Sequence, residues 1–253
     1  MAETILTWEP YAIAIAGGII PALVWLLFWL REDRRSPEPT GLIALSFFAG
    51  MAVVYFVLPL QKLVVTGITP AMNLVNMLAV KLVFVPPAEQ TVQITLWAFI
   101  EEFAKYSTVF FIAFKSKFFD EPIDAVIYLL TAALGFAAME NILYIMKDIT
   151  HISTAQIFLD GNLRFIGATI LHTVSSAFVG LAIAFSFYGS RFVKVIAIIA
   201  GLIGATLLHA YFNLSIMEVN GTMNTLWVFS RFWIAILGII VLLQIVKRLT
   251  PNN

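Results

Sequence analysis

The stretch FIEEFAKYSTVFFIAF, residues 99–114, sets two adjacent carboxylates, Glu101 and Glu102, and an amine, Lys105, in an apolar run. Further along come Glu140 beside Asn141, then His172, then His209 with Asn213 one helical turn beyond. Carboxylates and imidazoles in a partly dry pocket suit activation of a water molecule. Two versions fit these residue types. In one, Glu101, His172 and His209 hold a divalent metal, zinc among the candidates, whose bound water attacks a carbonyl. In the other, a glutamate activates the water directly, and His209 with Asn213 stabilises the oxyanion.

Helical spacing refines this. Glu101 and Lys105 stand at i, i+4, and Glu102 and Lys105 at i, i+3, so Lys105 neutralises one glutamate and leaves the other for base chemistry. His209 and Asn213 share one face, which presents an N–H donor and an amide donor to one substrate oxygen. Other hydrolase patterns are absent. There is no H-E-x-x-H, no Asp deep in an apolar run, and no Gly-x-Ser-x-Gly around Ser175 and Ser176. The chain has no cysteine, which excludes a thiol nucleophile, thiolate ligands and disulfides. Each polar residue also has a plainer reading. A lone His or Asn bridges helices, and a Glu–Lys pair serves packing. Arg164 either snorkels to an interface or binds a carboxylate near the site. Asp120, Glu121 and Pro122 suit a helix start, Asp124 lies just inside that helix, and His151 falls in a solvated loop.

The elements that must position these groups are membrane helices. The 253 residues are 61% hydrophobic and only 12% charged, with a mean hydropathy of +0.95. A soluble domain of this size carries about twice that charge. Apolar runs of about twenty residues recur, which predicts a polytopic all-α bundle in the cell membrane rather than a β-barrel. Zero net charge leaves no electrostatic footprint for nucleic acid. The first ten residues lack the basic region of a cleaved signal peptide, so the first apolar run reads as a retained span.

Seven spans are expected, at roughly 11–30, 41–60, 94–114, 122–146, 163–188, 194–217 and 227–248. Arg31, Arg34, Arg35, Lys115, Lys117, Arg191, Lys194, Lys247 and Arg248 all fall on one side if the N-terminus is outside and the C-terminus cytoplasmic. Trp8, Trp97 and Trp227 then mark the outer interface and Trp29 the inner one. Residues 61–93 carry Pro70, two Asn and Lys81, and read as an outer-face amphipathic or re-entrant segment. The chain reads as one integral-membrane domain, 1–253, with a catalytic four-helix core at 94–217. At 1.5 Å per residue, Glu101, Glu140, His172 and His209 all lie about 9–14 Å below the outer surface. Intramembrane ionisable groups cost about 2.5 kcal/mol or more each. Four of them at one depth therefore predict a shared site.

The motifs EEFAK, FDEPIDAVIYLLTAALGFAAMEN, RFIGATILHTVSSAFVG and HAYFN, in that order, resemble the PrsW family of intramembrane proteases, relatives of the CAAX-prenyl proteases and Abi proteins. The resemblance covers about residues 95–217, half the chain. It implies peptide-bond hydrolysis in the membrane, and a single-pass, anti-sigma-factor-like substrate cut at site 1. It implies Glu101 as the base aided by His172, Glu102 pairing with Lys105 or sharing that role, and His209 with Asn213 polarising the scissile carbonyl. Glu140 and Asn141 would line the site. The family is usually labelled metalloprotease, while CAAX relatives have been argued to be metal-free glutamate proteases. Two alternatives remain at this stage. A proton- or cation-coupled transporter would use the same residues as a relay, although neither an inverted repeat nor broken helices are visible. A non-catalytic membrane scaffold would keep the cluster for partner binding.

Overall fold

The computed structural model describes residues 8–34, 36–82, 87–148, 154–218 and 222–249. Among them are seven α-helices and no strand: α1 Glu9–Leu30, α2 Thr40–Leu82, α3 Glu89–Ile112, α4 Asp124–Asp148, α5 Thr154–Phe185, α6 Arg191–Glu218 and α7 Thr222–Val246. A single 3-10 turn, Arg31–Asp33, follows α1. The all-α polytopic bundle expected from hydropathy is the observed architecture. In hydrocarbon a helix satisfies its own backbone groups, so each apolar run becomes one helix.

Six of the seven are long and apolar enough to cross a membrane. The exception is α3, whose Glu101, Glu102 and Lys105 sit in its middle. It nonetheless packs among the others, against α2, α4, α5 and α6. Those charges belong to the bundle interior and not to lipid.

The segment expected as a separate outer-face or re-entrant element is not separate. Residues 61–82 continue α2, which runs unbroken through Pro59 and Pro70, and residues 89–93 open α3. Lys81 lies in α2, but its side chain is outside the described ones. With 43 residues, α2 is about 64 Å long, twice the hydrocarbon thickness. In its second half Ile68 and Met72 are buried, α2 packs along α3, and the Thr69 hydroxyl donates to Glu89 of α3 at 2.7 Å.

At the centre stands α4. Its apolar window is 83% buried, against 28–39% for α1, α2, α6 and α7. Four helices, α1, α2, α3 and α5, pack on it. Small residues permit this. A methyl group at Gly50 of α2 would meet the Ala132 carbonyl of α4 at 2.1 Å, and one at Gly135 of α4 would meet the Phe47 carbonyl of α2 at 2.0 Å. The two backbones touch reciprocally, leaving no room for a Cβ. Just before α4, Asp124 Oδ2 accepts the N–H groups of Asp120 and Glu121 at 2.9 and 2.7 Å. Asp124 thus secures the turn into α4. The Tyr128 hydroxyl donates to Glu38 at the same end.

Replacing Gly50 or Gly135 by Leu is expected to lower stability by about 1–3 kcal/mol or more, because neither carbonyl can retreat. Thermal unfolding in detergent checks this, with Gly41→Leu, which meets nothing within 4 Å, as the unaffected comparison.

Candidate active site

Four helices bring their ionisable groups into one hydrogen-bonded cluster. From α3 come Glu101, Glu102 and Lys105, from α4 Glu140, from α5 His172 and from α6 His209. Lys105 is wholly buried. Its Nζ donates to Glu102 Oε1 at 2.6 Å and to His172 Nδ1 at 2.9 Å, and lies 4.9 Å from the centre of the Phe136 ring. A buried ammonium is tolerable only with such partners. Lys105 pairs with Glu102 and not with Glu101, which settles the spacing ambiguity between i+3 and i+4.

Glu102 is saturated. Besides Lys105, its Oε1 accepts His209 Nδ1 at 2.7 Å, and its Oε2 accepts the Ser176 hydroxyl at 3.0 Å. Glu101 is not. Its Oε1 accepts the Gln61 amide at 2.7 Å, while its Oε2 is buried without a hydrogen-bond partner among the described residues. That oxygen lies 3.5 Å from His209 Nε2.

The partners set the tautomers. Glu102 as a carboxylate only accepts, so His209 carries its proton on Nδ1 and offers a lone pair at Nε2. Lys105 only donates, so His172 accepts at Nδ1 and carries its proton on Nε2, which donates to Glu140 Oε2 at 2.7 Å. The N–H expected from His209 toward a substrate is therefore committed to Glu102. What His209 shows the site is an acceptor, facing the open oxygen of Glu101.

The remaining expected residues are placed less centrally. Asn141 is buried with an amide nitrogen that finds no hydrogen-bond partner among the described residues. Asn213 lies half-buried one turn beyond His209 and takes no part in the cluster's hydrogen bonds. Arg164 falls within α5, but its side chain is outside the described ones, and His151 is outside the described residues altogether. Sequence reasoning missed Gln61, and weighed Ser176 only as a nucleophile and not as a partner of Glu102. Both are neutral polar residues, which cost little in a helix and carry no signal of their own; position near a charged cluster is the only clue.

The donor set suits a divalent metal. Glu101, His172 and His209 each offer one ligand atom, all within 4.8 Å of one another, and among the described residues this is the only such group. One carboxylate and two imidazoles with an open position match catalytic zinc sites. The orphaned Glu101 Oε2 and the free Nε2 of His209 fit directly, and Glu102 on the far nitrogen of His209 supplies the usual orienting carboxylate. His172 fits by distance, with its Nε2 engaged by Glu140.

The chain is similar to known proteins over the region that holds this cluster. The PrsW family intramembrane metalloprotease profile matches residues 38–244, which takes in every clustered residue. Curated relatives are each called Protease PrsW. That of Geobacillus kaustophilus is 28% identical over 134 residues, 53% of this chain and 52% of its own length. That of Oceanobacillus iheyensis is 30% identical over 134 residues, 53% of this chain and 54% of its own. That of Bacillus subtilis is 26% identical over 133 residues, 52% of this chain and 53% of its own. The chain spans about half the length of the curated relatives it matches. No solved structure matches.

Lys105→Met leaves Glu102 buried without its cation and is expected to cost about 3–5 kcal/mol. Thermal unfolding in detergent tests this, with the exposed Lys117→Met as the neutral comparison. An unchanged midpoint would show that the cluster does not depend on its ammonium.

Proposed function

We propose, from the premise that the chain belongs to the PrsW family of intramembrane metalloproteases, that it is an endopeptidase cutting a membrane protein within or beside the bilayer. The observation that carries this reading is the pair Glu101 Oε2 and His209 Nε2, buried 3.5 Å apart, the carboxylate oxygen without a hydrogen-bond partner among the described residues. A water bound there donates one hydrogen to each. Glu101 takes a proton as the water oxygen attacks the scissile carbonyl carbon. The oxyanion is met by amide donors from Asn141 and Asn213. The tetrahedral carbon then expels the amine, and the proton on Glu101 passes to that nitrogen as the C–N bond breaks. Lys105 holds Glu102 and His172 in place throughout, and Glu102 holds the tautomer of His209. A divalent metal bound by Glu101, His172 and His209 would lower the pKa of its water and polarise the carbonyl.

The family resemblance supports a single-pass substrate of the anti-sigma-factor kind, cut at site 1. The basic residues at one end of the bundle support a cytoplasmic C-terminus. The cluster then lies in the outer half of the membrane, where a first cut on the outer side would fall.

Glu101→Gln, His172→Ala and His209→Ala are each expected to abolish cleavage while the protein stays folded in the membrane. Protein N-termini are compared in membranes carrying wild type and Glu101→Gln. New termini in a single-pass protein, present only with wild type, identify the substrate; identical termini under envelope stress would reject the protease reading. Zinc titration of the purified protein is expected to show one site that His209→Ala removes. Failure of the wild type to bind zinc would leave water activation to Glu101 alone.

A further inference from the structure

We propose that Gln61, on α2, is a positioning residue that decides which oxygen of Glu101 faces the reacting water. This rests on the reading of Glu101 as the base. Gln61 lies outside the four helices that supply the ionisable groups, and it holds α3 twice. Its side-chain Nε2 donates to Glu101 Oε1 at 2.7 Å, and its backbone carbonyl accepts the indole N–H of Trp97 at 3.2 Å. Trp97 and Glu101 stand one turn apart on the same face of α3. The two bonds grip Gln61 at backbone and side chain together, so the amide has little freedom to leave.

A free carboxylate rotates about its last torsion in a broad, two-fold well, and its oxygens are equivalent. The Gln61 amide removes that equivalence. Oε1 is capped by a donor, and Oε2 is left without a partner, buried, 3.5 Å from His209 Nε2. Without the amide, Glu101 is left to the Lys105 ammonium, a donor one turn along α3 at i+4. Rotation of Glu101 onto Lys105 would draw the ammonium from Glu102 and His172, and with it the order that keeps Oε2 open. Gln61 therefore keeps the two adjacent glutamates in different roles. A bond that merely glued α2 to α3 would serve equally well on either oxygen.

The test uses the full chain in liposomes. Gln61→Met keeps length and volume and removes the donor. Cleavage is measured on the single-pass protein whose cut separates wild type from Glu101→Gln, and kcat is expected to fall about 10–100-fold with KM and the unfolding midpoint unchanged. In parallel, protein labelled with carbon-13 glutamate is examined by infrared spectroscopy. The carboxylate band that vanishes in Glu101→Gln is expected to shift in Gln61→Met. Trp97→Phe, which loosens the backbone grip and leaves the amide in place, is expected to shift the same band less. An unshifted band in both variants, or a kcat equal to wild type in Gln61→Met, overturns the positioning role. Normal cleavage by Glu101→Gln would instead overturn the assignment of the base, so the two failures are distinguishable.

Discussion

The constraint on which the rest of the site depends is the buried ammonium of Lys105. A cation with no exposure in the middle of a bundle requires partners, and it finds Glu102 at 2.6 Å and His172 at 2.9 Å. Each partner then requires its own. Glu102 draws in His209 and Ser176, and His172 draws in Glu140. One charge thus organises side chains from α3, α4, α5 and α6, and every link is a hydrogen bond that low polarity strengthens. The network behaves as one unit, because removal of any member strands a buried polar group.

Glu101 and Glu102 are neighbours in sequence and opposites in environment. Adjacent helical residues point about 100° apart, so one amine cannot serve both equally. Glu102 turns toward Lys105, His209 and Ser176, which engage both of its oxygens. Glu101 turns toward α2, where a neutral amide meets one oxygen and, among the described residues, no hydrogen-bond partner meets the other. The proposed division of labour between a structural carboxylate and a reactive one follows from this angular difference before any chemistry begins.

Much of this was legible in the sequence, for a physical reason. Lipid penalises charge so heavily that Glu101, Glu102, Lys105, Glu140, His172 and His209 stood out against their runs, and the helical rise put them at one depth. The helices were legible for the same reason. The expected span 94–114 is α3, Glu89–Ile112, and 122–146 is α4, Asp124–Asp148. What was not legible depends on packing. The continuation of α2 past Gln61 carries Pro70, Asn and Lys81, which read as interruption, yet it stays helical, packed along α3. Gln61 went unseen because a glutamine at an apolar border costs too little to attract notice. The tautomers of His172 and His209 were also beyond sequence, since they follow from which neighbour donates and which accepts. The N–H of His209 was expected to face a substrate and instead faces Glu102.

The arrangement of His209 is indifferent to how the water is activated. A histidine that binds a metal through Nε2 is held by a carboxylate on Nδ1–H, which aims the ring and raises its basicity. A histidine that orients a water beside a glutamate base needs the same carboxylate for the same reasons. Glu102 performs this task at 2.7 Å, and Lys105 ensures that it stays a carboxylate acceptor. Fixing His209 in this way leaves Nε2 and Glu101 Oε2 as two acceptors turned toward each other across 3.5 Å. Two buried acceptors repel one another unless something donates between them. A metal ion satisfies that demand, and so does a water molecule with both its hydrogens. The demand for a donor or a cation at this point therefore arises from helix geometry and hydrogen-bond polarity alone.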